Sequence, residues 1–286
     1  MEYQRKLVAA KNNIIEFYEQ LNGNCYISFS GGRDSTVLLH LARSLYPDIE
    51  AVFIDTGLEY PEIRSFVLEQ KNITTIKPKK TFKNVIEEYG YPVVSKDVAS
   101  KIHEIRTTKS DDLKNKRLEG KVSKNGKLCG KLPNKWRFLL QAPFKISSRC
   151  CYHLKKAPAY SFERKTKKYP MLGIRKQESG LRQQRQGCLM FRSKRPTAWP
   201  IGSWSDSDID RYIHEHDVRI SKIYHMGYKR TGCMFCMFGC HLEENDRFLL
   251  MEKTHPKQHK YCMDILGLKA VIDFIKSAGL TLTGGK

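Results

Sequence analysis

Two periods of apolar residues alternate along the first ninety positions. Leu7, Ile14, Ile15, Phe17 and Tyr18 fall roughly on one helical face between residues 3 and 20, and Asn22-Gly23-Asn24 stops that helix. Cys25 to Phe29 is a short continuous apolar run and reads as a buried strand. A turn, Ser30 to Ser35, follows; then come a helix over Thr36–Arg43 and a strand over Ala51–Ile54. The pattern continues with a helix from Pro61 to Lys71, a strand from Ile73 to Ile76, and a helix from Lys83 to Tyr89 ended by Gly90. Strands alternating with helices predict an α/β fold with a doubly wound, mostly parallel sheet.

Beyond this point the periodicity weakens. Residues 107–149 form a Lys/Gly/Asn-rich stretch in which Trp136–Leu140 is the segment able to pack, and it reads as a basic insertion. Order returns with a strand over Met171–Ile174, a helix over Trp204–His216 capped by Ser205 or Asp206, and helical segments over 246–267 and 268–278. The expected organisation is an α/β domain over residues 1–225, with the insertion at about 107–149, and a helical cysteine-rich subdomain over 226–286. No apolar run approaches the roughly 20 residues needed to span a bilayer, and MEYQRKLVAAKNN carries no apolar leader, so the expectation is a cytoplasmic protein without a membrane partner.

Charge sharpens this outline. Residues 101–200 hold 27 Lys and Arg against 6 Asp and Glu, so this stretch carries the whole net charge of +21. A field so localised suits a polyanion, either a nucleotide's phosphates or a DNA or tRNA backbone. The nine cysteines are an odd number, and they cluster as Cys150-Cys151 and Cys233-x-x-Cys236. That pattern, in a reducing compartment, points to metal or redox chemistry rather than a disulfide framework. Cys25, inside an apolar strand, reads as a small core residue.

The turn Ser30-Gly31-Gly32-Arg33-Asp34-Ser35 lies between a buried strand and a helix. Two glycines let backbone N–H groups approach an oxyanion, and the helix N-terminus adds partial positive charge. Ser30 and Ser35 can donate hydroxyl hydrogen bonds, and Asp34 can hold Mg²⁺ beside the phosphates. These residues are therefore the expected grip on a nucleotide.

Phe29-Ser-Gly-Gly-Arg-Asp-Ser-Thr-Val-Leu-Leu-His40, followed by Phe53-Ile-Asp-Thr-Gly-Leu-Glu-Tyr-Pro-Glu-Ile63, resembles the phosphoadenosine phosphosulfate reductase family of the PP-loop, or adenine nucleotide α-hydrolase-like, superfamily. Gly173-Ile-Arg-Lys-Gln-Glu-Ser-Gly-Leu-Arg182 is similar to that family's Gly-x-Arg-x-x-(Gln/Glu)-Ser-x-x-Arg segment. The resemblance implies a Rossmann-like PP-loop fold in which Ser30, Gly31, Gly32, Asp34 and Ser35 bind the phosphate or sulfate end. It also implies that Asp55, Thr56 and Gly173 lie near the nucleotide, and that Arg175 and Arg182 clamp anionic oxygens during the reaction.

Cysteine thiolates suit zinc or iron–sulfur clusters, and a Cys-x-x-Cys turn alone would favour zinc. The tandem pair together with Cys-x-x-Cys resembles the 4Fe-4S site of adenylyl-sulfate reductases, which implies Cys150, Cys151, Cys233 and Cys236 as ligands. Cys240 is a fifth candidate. On the expectation that adjacent residues rarely ligate one site, because successive side chains of an extended chain point apart, it replaces Cys150 or Cys151. Lys155 and Lys156 stand beside the pair to offset thiolate charge.

Three functions compete. A sulfonucleotide reductase would need a nucleophilic thiol, but the chain ends in Leu-Thr-Gly-Gly-Lys286 without the Glu-Cys-Gly-x-His tail of such enzymes. Cys262 is the thiol nearest that place, and it reads as the interior of a helix. An ATP pyrophosphatase that adenylates an acceptor for sulfur transfer, resembling DNA phosphorothioation enzymes and sulfate adenylyltransferases, uses both the complete loop and the basic stretch. It would also call for a sulfur or electron donor protein. An inactive nucleic-acid-binding module would explain the charge but not Asp34, Ser35 and the cysteines together. ATP-dependent chemistry ranks first.

Overall fold

The computed structural model describes residues 1–123, 125–178, 180–184, 187–243 and 246–279. Lys124 of the insertion, Ser179 of the arginine segment and the tail over 280–286 lie outside the described residues. The chain divides into two compact units, Met1–Pro78 with Ala157–Gly232, and Lys79–Lys156 with Cys233–Lys286. This interleaving differs from the contiguous division read from the sequence. The 107–149 stretch belongs to the second unit, and local periodicity carries no information on which distant segments pack together.

The chain enters the first unit through α1 (Glu2–Gln20), which buries Tyr3, Leu7, Ala10, Ile14 and Phe17 at helical spacing. Next come β1 (Cys25–Ser28), α2 (Arg33–Arg43), β2 (Ala51–Ile54), α3 (Pro61–Leu68) and β3 (Ile73–Ile76). In the second unit lie α4 (Phe82–Tyr89), the short β4 (Val93–Val94), α5 (Lys96–Thr107), α6 (Asp111–Leu118) and the hairpin of β5 (Lys121–Val122) with β6 (Leu128–Cys129). The 107–149 stretch is thus partly ordered, and Trp136 and Leu139 are buried in a 3₁₀ segment. A π-helical turn over Tyr152–Lys156 closes this part.

The chain then returns to the first unit with α7 (Ala157–Thr166), β7 (Tyr169–Leu172), α8 (Gly180–Gln183), β8 (Leu189–Met190), β9 (Thr197–Ala198) and α9 (Asp206–Glu215). Ser205 caps α9 in a capping box with Asp208. The second unit is completed by β10 (Met237–Phe238), α10 (Arg247–Thr254), α11 (Pro256–Lys260), a π-helical turn over Tyr261–Ile265 and α12 (Leu268–Ser277). Among the described residues no helix is long and apolar enough to cross a membrane.

In the first unit six strands form one sheet in the order β3-β2-β1-β7-β9-β8, parallel except for the β8–β9 pair. The expected mostly parallel α/β sheet is therefore present. Strands β1 and β2 are apolar without alternation, as strands covered on both faces must be. From β1 the chain winds outward through β2 to β3, and later returns to the other side of β1 as β7, so the strand order reverses between β1 and β7. In such sheets ligands bind outside the carboxyl ends of the strands at the reversal.

Candidate functional site

The loops after β1 and β7 meet at that reversal. Gly31 has φ +70°, and a Cβ there would lie 2.7 Å from Val67 Cγ2 and 2.9 Å from Ile63 Cγ2, so both backbone conformation and space demand glycine. A Cβ on Gly173, in the loop after β7, would lie 2.9 Å from the Cα and N of Ser35. The two loops therefore touch backbone to backbone. Inside the first loop, Ser35 Oγ donates to the Gly32 carbonyl at 2.9 Å and lies 3.0 Å from Ser30 Oγ.

The charged members of the site are paired. Arg175, buried, donates from Nε to Asp34 Oδ2 at 2.9 Å and from Nη2 to Asp206 Oδ1 at 2.8 Å. Burial acts to lower its pKa, but these two carboxylates outweigh burial and hold the guanidinium above its ordinary range. Arg33 turns its side chain to Asp206 and Asp210, at 3.0 and 2.6 Å. Arg175 thus ties the first turn of α2 to α9. To clamp a phosphate it must share or exchange the Asp34 carboxylate, and to hold Mg²⁺ Asp34 must do the same.

Asp55 and Thr56, both buried, lie at the carboxyl end of β2. Asp55 accepts from Arg64 Nε at 3.1 Å and from the Gly57 amide at 3.2 Å, while Thr56 Oγ1 donates to Glu59 at 2.7 Å. Arg182 is half-buried in α8. Sequence reasoning missed Tyr224 and Thr231. The Arg33 amide donates to the Tyr224 hydroxyl at 2.7 Å, and that hydroxyl lies 3.0 Å from Thr231 Oγ1. No local pattern marked Tyr224; Thr231 stood in the Arg230-Thr-Gly232 segment just ahead of the cysteines.

The cysteines belong to the second unit. Cys150 and Cys151 open a helical turn rather than an extended segment, so their side chains are about 100° apart around the axis and do not oppose each other. The argument for replacing one of them with Cys240 therefore loses its premise. The two thiols share a hydrogen bond, and Cys150 also feels the charges of Cys236 and Cys233. Cys151 is drawn down to about 6, chiefly by its bond to Cys150 and further by Lys96 and Lys155. Burial, then Cys233, pushes Cys236 up to about 11. Cys150, Cys151, Cys233 and Cys236 are thus within electrostatic reach of one another.

Cys240, buried, donates its thiol to the Cys236 carbonyl, which also accepts from Arg247 Nη1 at 2.8 Å. Cys25 and Cys262 are buried, as their strand and helix patterns predict. Among the described residues no three His, Cys, Asp or Glu side chains converge on a single-ion site. The donor set nevertheless fits an iron–sulfur cluster in kind: four soft thiols, with Lys96 and Lys155 beside Cys151 to offset thiolate charge.

The profile of the Phosphoadenosine phosphosulfate reductase domain matches residues 24–238. An uncharacterized protein of Methanocaldococcus jannaschii is 26% identical over 264 residues, covering 88% of this chain and 51% of that protein. The chain spans about half the length, or less, of the first curated relatives it matches. A phosphoadenosine 5'-phosphosulfate reductase of Alkalilimnicola ehrlichii is 25% identical over 212 residues, covering 73% of this chain and 69% of the reductase. Among solved structures, phosphoadenylyl-sulfate reductase from Candida auris in a phosphate complex aligns with a TM-score of 0.47 and 16% identity, over 79% of this chain and 88% of that one.

Proposed function

Because the chain belongs to the phosphoadenosine phosphosulfate reductase family, we propose that its first unit cleaves ATP to pyrophosphate and transfers the adenylyl group to an acceptor destined to receive sulfur. The observation that carries this reading is the meeting of the Ser30–Ser35 loop and the Gly173–Arg175 loop at the strand-order reversal, with Gly173 where backbone approaches backbone. Amides of the α2 N-terminus would take the phosphates, and Ser30 and Ser35 would donate to their oxygens. Asp34, with Mg²⁺, and Arg175 would trade their mutual ion pair for contacts to the charge that grows on departing pyrophosphate. Asp206 keeps Arg175 in place during the exchange.

In the second unit Cys150, Cys151, Cys233 and Cys236 would hold the 4Fe-4S cluster. When bound, the cluster supplies iron for carrying sulfur or electrons. The basic stretch supports an anionic acceptor such as DNA or tRNA: Lys114 on α6 and Lys121 and Lys127 around the β5–β6 hairpin are exposed.

A second reading, sulfonucleotide reduction, is favoured by the identity of the named relatives as sulfonucleotide reductases. It requires an accessible nucleophilic thiolate, whereas Cys262 is fully buried and burial pushes its thiol up. Anaerobically prepared protein, supplied with a dithiol as the two-electron reductant and incubated separately with ATP, adenylyl sulfate and its 3'-phosphorylated form, distinguishes the two. Pyrophosphate from ATP is expected, and Asp34→Asn should reduce its release by about 100-fold or more. Sulfite from either sulfonucleotide, with no pyrophosphate from ATP, would reverse the ranking.

A further inference from the structure

A cavity of about 330 Å³ opens within the second unit. One wall is the polar face of α5, where Lys96, Ser100, His103 and Glu104 recur at helical spacing. The opposite face of α5 buries Val98, Ala99, Ile102 and Ile105 in the core. The other wall runs from Ser147 to Lys156 and contributes Ser148, Arg149, Cys151 and Tyr152. The volume is at the lower end of the roughly 300–1,000 Å³ typical of small-molecule sites.

The lining is cationic and partly uncommitted. Lys96 bonds Cys151, but the exposed side chains of Arg149 and Lys156 make no hydrogen bond or ion pair among the described residues. Glu104, the carboxylate of the lining, accepts from Arg117 Nε, so it is drawn toward a cation outside the cavity wall. Ser100 and Ser148 hydroxyls lie 2.6 Å apart across the two walls and offer further donors. His103 is held below its ordinary range by burial and then by Arg149, which leaves it neutral at neutral pH and able to donate from one ring nitrogen. Of the four thiols grouped above, Cys151 is the one in the cavity lining.

We propose that this cavity is a second anion site, which takes the phosphate group of a nucleotide and holds that nucleotide against Cys151. Arg149 and Lys156 face the phosphate oxygens, and the serine hydroxyls complete the shell. The site's place in a sulfur transfer rests on the proposed function; its affinity for a nucleotide phosphate does not. The phosphate can come from a free nucleotide or from a nucleic acid acceptor.

The test uses the full chain, prepared anaerobically; for the titrations parent and variants alike also carry Gly31→Ala, which weakens binding at the Ser30–Ser35 loop without adding a ligand that could fill the cavity. Adenosine 3',5'-bisphosphate and a 5'-phosphorylated single-stranded oligonucleotide are titrated separately by calorimetry. At least one should bind, and Arg149→Gln with Lys156→Gln should weaken it by about tenfold or more, the scale of losing charged hydrogen bonds. Whichever probe responds identifies the source of the phosphate. Ser148→Glu, which keeps both cations but places a carboxylate between them, should weaken the same probe, and it serves if the double variant melts early. Equal affinity in parent and variants, or no binding of either probe to the parent, overturns the proposal. Pyrophosphate release from ATP by the parent is scored separately, so failure of the first unit's reading and failure of the anion site are distinct results.

Discussion

Ser30 to Ser35 forms its phosphate loop within one turn of chain, whereas Cys150 and Cys151 are separated from Cys233 and Cys236 by residues 157–232, which belong to the other unit. The loop itself is held by short-range bonds, such as Ser35 to Gly32, and by glycines that admit close neighbours. The cysteine group depends on long-range packing, with β10 laid parallel to β4 and the Gly239 amide donating to the Val94 carbonyl at 2.8 Å. A local site therefore fails through its own residues. An assembled one fails through any segment that positions its parts.

The strongest break in this comparison is Cys236→Ser. It removes one of four grouped thiols, and the variant should lose the brown colour and the roughly four iron per chain expected of the anaerobic parent. Pyrophosphate release by the first unit should survive. Stoichiometric zinc and no iron in the parent would refute the cluster.

A smaller effect separates two glycines with almost the same backbone. Gly31 and Gly57 have φ of +70° and +73°, but a Cβ collides with Val67 and Ile63 at the first and meets nothing within 4 Å at the second. Gly57→Ala should cost about 1 kcal/mol from the left-handed conformation alone. Gly31→Ala adds a steric clash and should weaken ATP binding by about tenfold, on the scale of 1–3 kcal/mol of local strain. Equal loss in both variants, read by calorimetry and thermal melting, would mean that packing under the loop is unimportant.

The smallest effect concerns charge. Replacing Lys114, Lys116, Lys121 and Lys127 by Gln should flatten the salt dependence of DNA or tRNA binding by up to about 3.6 in log–log slope, while ATP affinity stays unchanged. Arg117 is left out because its guanidinium already holds Glu104 and reaches the Gly130 carbonyl. A parent that binds neither polymer at low salt would remove nucleic acid as the acceptor.

What could be read in the sequence follows the same division. The strands at 25–28, 51–54 and 73–76, with helices between them, follow from short apolar periods, and the phosphate loop follows from glycine and hydroxyl placement. Gly173 and Arg175 came only through family resemblance, because nothing local places the end of β7 against α2. The Arg175–Asp34–Asp206 network and the Tyr224 contact to the α2 N-terminus join residues far apart in the chain, and no periodicity marks such pairs. The helix over Lys96–Thr107 was missed. Its four buried residues share a face with correct spacing, but lysine, aspartate and histidine dilute the pattern just ahead of the basic stretch.

The interleaving of the two units also sets an order of events during synthesis. Translation proceeds at roughly 5–20 residues per second, and domains fold as their segments emerge. The first unit has all its segments once Gly232 is made, but at that moment the second still lacks everything from Cys233 onward. Cys150 and Cys151 therefore wait roughly 4–16 s for Cys233 to be added. At the end of that interval the first unit has every segment while the pair of thiols still lacks its partners, so a cluster held by all four thiols would be inserted only after the nucleotide unit is complete.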